Sequence, residues 1–168
     1  MKIRPETPAD ETTIAALITE AFLSADHAAG TEALIVNCLR SQSALTLSLV
    51  AEESGGHLTG HIAASPVTLD GRAGWCGIGP VSVRPAYQRQ GIGHALMIAA
   101  MDQLEQEGAN GIVLVGDPGY YGRFGFSSQP GLSAGDIPSS YVMARAFGEA
   151  RAEGEIEFHK AFGVNQNV

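Results

Sequence analysis

Apolar residues first recur at a helical spacing. Ile14, Leu17, Ile18, Ala21 and Phe22 stand three or four positions apart and predict the buried stripe of an amphipathic helix. Its start is marked by Thr7-Pro8-Ala9-Asp10. The threonine can cap, the proline suits the first helical position, and the acid suits the positive end of the helix dipole. Residues 2–4 precede it as a short strand, and a second helix is expected over about 31–40. From Leu45 the period changes to two. A strand over 45–52 puts Leu47, Leu49 and Ala51 on one face. Ser54-Gly55-Gly56 is a turn, 57–69 a second strand, Asp70-Gly71 a hairpin signal and 75–83 a third strand, so the three form an antiparallel meander.

The order then switches. A polar loop over 86–90 leads to Gly91-Ile92-Gly93, which opens a helix whose apolar side is Ala95, Leu96, Ile98, Ala99, Met101 and Leu104. Gly108 ends it and 112–115 is a buried strand. Strand, loop, helix and strand in this order predict a crossover between parallel neighbours. Asp117-Pro118 starts a short helix, and final strands are expected at 138–145 and 155–162. The fold class is therefore α/β: a twisted mixed sheet with helices on both faces.

Composition narrows the function. The 168 residues suit one domain spanning 1–168, and 45% apolar with 17% charged residues marks a globular chain. Net charge is −8, and the ten lysines and arginines do not cluster. Nucleic acid and anionic membrane are excluded as partners, because each needs a basic face. A phosphate-bearing ligand must then be held by local geometry. Cys38 and Cys76 read as reduced core thiols. No apolar leader or membrane-length run is present, which gives a cytoplasmic expectation. No His, Cys and Asp set has metal-ligand spacing, so no metal is expected, and no Ser/His/Asp or Cys/His set stands out for covalent catalysis.

The informative stretch runs from Val81 to Ala95. Gly91 and Gly93 let the backbone turn sharply and a ligand approach closely, and the helix beginning there leaves N–H groups without intrahelical partners. Arg84 and Arg89 flank it. On these residues alone, a phosphate site and a plain strand-to-helix connection both remain open. A nucleotide P-loop does not fit, since no lysine follows the glycines; a dinucleotide fingerprint does not fit either, since Leu96 stands at the third glycine and Gly111 where an acid is needed.

Gln88-Arg89-Gln90-Gly91-Ile92-Gly93 resembles the Gln/Arg-x-x-Gly-x-Gly/Ala motif of the GNAT acetyltransferase superfamily. Val81-Ser82-Val83-Arg84-Pro85 resembles that family's fourth strand and its exit, and Tyr121-Gly122-Arg123-Phe124-Gly125-Phe126 its Tyr-x-x-x-Gly-Phe element. The likeness extends from the first strand to about Phe126. It implies an N-acetyltransferase that uses acetyl-CoA as acyl donor and an amine as acceptor. The motif residues Gln88 and Arg89, with N–H groups around Gln90, Gly91, Gly93 and His94, are expected at the CoA pyrophosphate. Val81 and Val83 are expected to offer backbone groups to the pantetheine arm where the fourth and fifth strands splay, one N–H also polarising the thioester carbonyl. Tyr121 is implied as general acid to the leaving thiolate, and the amine attacks the thioester directly. Homodimers are common among proteins of this kind.

Two departures qualify the likeness. Val115-Gly116-Asp117-Pro118-Gly119-Tyr120 leaves room only for a short helix, which resembles a bacterial subgroup of acetyltransferases without defined acceptors. The glutamate base that some members carry on the fourth strand is absent between Trp75 and Val83. A non-catalytic acyl-CoA sensor of the same fold is the alternative; an interaction protein that has lost the site is opposed by its intact glycines. Other residues carry structural expectations: Phe124, Phe126 and Trp75 as core, Asp117 as a helix cap, and Glu155, Glu157 and His159 as the polar face of a late strand. His61 is expected to face either the acceptor cleft or solvent. Asp26 and His27 follow the first helix, on the side where the family shapes its acceptor site.

Overall fold

The computed structural model describes residues 1–23 and 30–163. Asp26 and His27 lie outside the described residues. The elements run β1 (Lys2–Pro5), α1 (Glu11–Phe22), α2 (Glu32–Ser41), β2 (Leu47–Glu52), β3 (Leu58–Leu69), β4 (Arg72–Val83), α3 (Ile92–Gln106), β5 (Gly111–Val115), α4 (Pro118–Tyr121), β6 (Leu132–Ser133), β7 (Val142–Ala146) and β8 (Gly154–Glu157). Along the sheet the order is β1-β2-β3-β4-β5-β7, with β8 pairing to the far end of β3 and to β6. β2, β3 and β4 form the expected antiparallel meander, and α3 is the crossover between the parallel neighbours β4 and β5. Among the described residues no helix is long and apolar enough to cross a membrane.

The alternation read from the sequence sorts side chains to the two faces. Leu47, Leu49 and Ala51 of β2 pack with Leu96, Met97 and Leu104 of α3. Val50, one residue out of step, packs with Ile14, Leu17 and Ile18 of α1 and Val36 of α2 on the opposite face. Burying each Leu or Ile of this kind contributes about 1.5–3 kcal/mol, so slipping a strand by one residue would lose several such terms together.

Both ends of the chain depart from expectation. Pro8–Asp10 is a 3-10 turn, and α1 begins only at Glu11. Asp10 accepts from the Thr7 N–H at 2.7 Å and pairs with Arg4 of β1 at 2.7 Å, an attachment that accompanies the tighter turn. Arg4, foremost among the causes, holds the Asp10 carboxyl down at about 2. Near the C-terminus, Ser139–Tyr141 is a 3-10 turn ahead of β7, and β8 stops at Glu157. His159 therefore lies beyond the strand; its Nδ1 accepts the Ala161 N–H at 3.0 Å within another 3-10 turn. Glu155 and Glu157 are exposed as expected, but Glu155 also accepts the Gly135 N–H at 2.6 Å and the Ser133 hydroxyl. The alternation holds through Glu157 and is lost in the 3-10 turn that follows.

β4 carries the irregularity that shapes the site. It starts earlier than expected, at Arg72, and it is not one continuous ladder. Ile62 pairs with Val81 and Ala64 with Ile78, so Gly79 and Pro80 together oppose Ala63 alone. Pro80 has no N–H to give, and two residues against one make a β-bulge. The bulge resets which side chains face α3: Cys76 and Ile78 before it, Val81 and Val83 after it. β4 pairs with β5 at Trp75, Cys76 and Gly77 only. Past that point β5 stays with β7 as far as Val115, while β4 stays with β3 as far as Val83. The two parallel strands therefore part beyond Gly77.

Candidate active site

At the parting, backbone groups of β4 lose their neighbour. Arg84 donates its N–H to the Thr59 carbonyl at 2.9 Å, which makes 84 a hydrogen-bonded position against β3. Antiparallel ladders alternate, so the N–H groups of Val83 and Val81 turn away from β3 toward the gap. The Val83 carbonyl, on that same edge, accepts Gln88 Nε2 at 3.1 Å.

The chain then turns through two left-handed residues, Arg89 at φ 64° and Gly91 at φ 85°. Glycine adopts this conformation without steric cost, and here it caps α3. No side chain caps this helix end, and the first helical bond runs from the Ala95 N–H to the Gly91 carbonyl at 3.0 Å. The N–H groups of Ile92, Gly93 and His94 thus have no intrahelical acceptor, and the dipole adds to their attraction for an anion. Gly93 also permits a close approach, since a Cβ there would stand 3.1 Å from the Tyr120 hydroxyl.

α4 brings two phenols to the same place. Asp117 caps it as expected, accepting the Gly119 N–H at 2.9 Å. The Tyr121 ring lies against Gly116, where a Cβ would collide with it, and packs on Phe124 and Phe126, which are 4% and 3% exposed. Burial, then Tyr120 and Asp117, push the Tyr121 phenol up to about 12. Burial also raises Tyr120, against the pull of Arg123, whose guanidinium lies 4.7 Å from the Tyr120 ring centroid.

These elements line one groove of about 610 Å³. Of the residues expected there, Val81, Val83, Gln88, Arg89, Gly91, Gly93, His94 and Tyr121 border it. Gln90 lies outside the lining, its amide turned back to the Ala86 carbonyl at 3.4 Å. Arg84 does not flank the groove with Arg89. Its Nε donates to the Leu58 carbonyl at 2.8 Å and its guanidinium pairs with Glu20 of α1. The sequence reading overlooked Tyr87, Ile92, Tyr120 and Arg123 as lining residues. Arg123 had a signal, because it follows Tyr120 by three residues, the spacing that stacks neighbours on one helical face.

His61 faces neither cleft nor solvent. It is 0% exposed on the α1 and α2 side of β3, with Nε2 2.8 Å from Ser48 Oγ. Ser48 bonds Glu6, and Glu6 pairs with Arg40 of α2 at 2.8 Å. Burial lowers the imidazole to about 4, outweighing the pull of Glu6. Burial pushes Glu6 up, but its bonds to Arg40 and Ser48 prevail and hold it below the usual carboxylate range. Cys38 and Cys76 are free thiols. Among the described residues, no group of three or more His, Cys, Asp or Glu is placed to hold a metal ion.

A parallel pair that parts beside an uncapped helix end, with a half-buried phenol at the opening, is the arrangement that the likeness to the acetyltransferases implies. The sequence profile of the Acetyltransferase (GNAT) family matches residues 12–126. The protein described as uncharacterized N-acetyltransferase YhbS, from Escherichia coli K12, is 39% identical over 127 residues, covering 75% of this chain and 73% of that protein. A GNAT-family acetyltransferase from Brucella melitensis, crystallised with acetyl-CoA, superposes with a TM-score of 0.85 at 44% identity, covering 96% of this chain and 97% of the other. YhbS from E. coli, crystallised with CoA, gives a TM-score of 0.87 at 32% identity over 98% of this chain and 92% of its own. The chain belongs to the GNAT family of acetyltransferases.

Proposed function

We propose that residues 1–168 act as one catalytic domain that moves the acetyl group of acetyl-CoA directly onto a primary amine. The observation that carries this reading is the convergence, in one groove, of the Val81 and Val83 N–H groups, the uncapped start of α3 and the Tyr121 phenol. The two related proteins crystallised with acetyl-CoA or CoA support the choice of donor. The pyrophosphate takes the N–H groups of Ile92, Gly93 and His94, with Arg89 and Arg123 supplying the positive charge that a chain of net charge −8 otherwise lacks. The pantetheine arm follows the free edge of β4.

The amine nitrogen attacks the thioester carbon, and negative charge gathers on the carbonyl oxygen. A β4 N–H fixed toward the gap stabilises that charge without having to reorient. Collapse of the tetrahedral adduct breaks the C–S bond. Tyr121, protonated at neutral pH, donates to the departing sulfur. The nitrogen sheds one proton to water, the thiolate gains one from Tyr121 and Tyr121 regains one from water, so the products are an amide and CoA thiol and the enzyme is restored.

A sensor that binds acyl-CoA without turnover is the second reading, favoured by the lack of a carboxylate between Trp75 and Val83. Two measurements decide. Acetyl-CoA should raise the melting temperature, and free thiol should appear only when a pool of primary amines is added. Stabilisation with no thiol release from any pool would leave the sensor reading; no stabilisation at all would remove both.

A further inference from the structure

Tyr121 stands on a segment too short to hold itself in place. α4 has four residues, and the 3-10 turn that follows it, Gly122–Phe124, has three. Helices shorter than roughly 12 residues are marginal on their own. The hydrogen bonds of this stretch are mostly its own. The N–H groups of Gly119, Tyr120 and Tyr121 go to Asp117, that of Gly125 to the Gly122 carbonyl at 3.0 Å, and Arg123 Nε to the Tyr120 carbonyl at 3.0 Å. Among the described residues, one polar bond ties residues 117–126 to the sheet. Arg145 of β7 donates from Nη1 to the Phe124 carbonyl at 2.9 Å.

Strand geometry puts Arg145 where it can do this. Met143, two residues earlier in β7, packs in the core on the α3 side, and alternation turns Arg145 to the same side. Its side chain crosses the bare Cα of Gly125, where a Cβ would stand 3.4 Å from both Cδ and Nε. The Phe147 ring centroid, 6.0 Å from the guanidinium carbon, offers it a weak cation–π contact. The Tyr121 ring packs on Phe124 and Phe126, at centroid distances of 6.5 Å and 6.3 Å, so it rests on the residues either side of Gly125. The bond that fixes the Phe124 carbonyl therefore fixes the support of the phenol. Arg145 itself does not border the groove. We infer that Arg145 is a positioning residue for acetyl transfer: it docks the turn beside Tyr121 onto β7 and so aims the hydroxyl at the departing sulfur. The inference rests on Tyr121 being the proton donor, as proposed above. A misplacement of about 1 Å at such a distance from the chemistry can cost about 10²-fold in rate.

The experiment is a double-mutant cycle. Arg145→Met keeps an aliphatic stem over Gly125 and removes the donor. Thiol release from acetyl-CoA with a pool of primary amines is measured for the wild type, Arg145→Met, Tyr121→Phe and the double variant, together with acetyl-CoA affinity and melting temperature. Arg145→Met should lower kcat by about tenfold or more and leave acetyl-CoA affinity near normal. It should lower kcat no further once Tyr121 is Phe, because the hydroxyl that it aims is gone. Arg145→Lys, which keeps one donor for the carbonyl, should show a smaller loss of the same kind, and it takes the place of Arg145→Met in the cycle if that variant does not fold. An equal fall in kcat with and without the Tyr121 hydroxyl would mean that Arg145 serves the fold or another group, and would overturn the inference. A normal kcat in Arg145→Met beside a slow Tyr121→Phe overturns it too and leaves the donor reading standing. Normal turnover in Tyr121→Phe overturns the donor reading and this inference with it, as does a wild type that releases no thiol with any pool.

Discussion

The hydroxyl of Tyr120 lies 3.1 Å from the point where a Cβ on Gly93 would stand. A side chain at position 93 must therefore displace that phenol and cover the N–H groups in the first turn of α3. A ligand at 100 times its Kd stabilises a protein by about 2.7 kcal/mol. Gly93→Val is expected to lose most of the acetyl-CoA-dependent rise in melting temperature. An unchanged acetyl-CoA affinity in this variant would remove the first turn of α3 from the phosphate site.

Tyr121 and Tyr120 are separable by single-atom changes. Tyr121→Phe keeps the ring against Gly116 and removes only the hydroxyl. The expected result is near-normal acetyl-CoA affinity with turnover reduced by roughly 10²-fold or more, as for loss of a general acid. Because burial carries the Tyr121 phenol to about 12, wild-type turnover should show no decline from its ionisation below about pH 11. Damage confined to Tyr120→Phe would assign the donor to the neighbouring phenol instead.

Arg84 and Arg89, five residues apart, should respond oppositely. Arg84 is tied to the Leu58 carbonyl and Glu20, so Arg84→Ala should lower the melting temperature and leave acetyl-CoA affinity unchanged. Arg89 borders the groove at the surface, so Arg89→Ala should weaken acetyl-CoA binding by about threefold, and less at high salt, as for other exposed ion pairs. Isothermal titration at two salt concentrations, with melting curves, reads both. Reversal of the pattern would restore Arg84 to the site.

His61 gives the protein an acid-labile core. Its imidazole titrates near ~6.5 in an unfolded chain and at about 4 when folded. Between those values the unfolded chain binds a proton that the folded chain refuses, so stability falls as pH drops through that window, by roughly 3 kcal/mol in total. Glu6, held low by Arg40 and Ser48, adds to the loss at still lower pH. Denaturation midpoints at pH 7 and pH 5 should therefore differ clearly in the wild type and much less in His61→Gln. Equal slopes in the two proteins would place the acid sensitivity elsewhere.

Some of this was legible because it is local. A period of two over β2 and a period of 3.6 in α1 and α3 are properties of neighbouring residues, and burial of one face follows from them; the turn signals that bound β3 and β4 are equally local. The need for a left-handed residue at Gly91 and the capping role of Asp117 are also decided within a few positions. The glycine motif and the Tyr121 to Phe126 element carried the family likeness for the same reason, each being short and continuous.

Periodicity states which face a side chain takes but not what it meets there. Gly79-Pro80 lies within the strand expected over 75–83; only pairing with Ala63 makes it a bulge, and the bulge decides that Val81 and Val83 face α3. Arg84 was drawn from the site by Glu20, 64 positions earlier in the chain. His61 was set by Ser48, Glu6 and Arg40, from three other segments. A separate hollow of about 360 Å³ beside Pro80 brings together Phe22, Glu32, Val115 and Phe158, no two of which are near neighbours in the chain. Side chains that find their partners across the sheet are fixed by packing and electrostatics between remote segments, so their roles appeared only once the chain had folded.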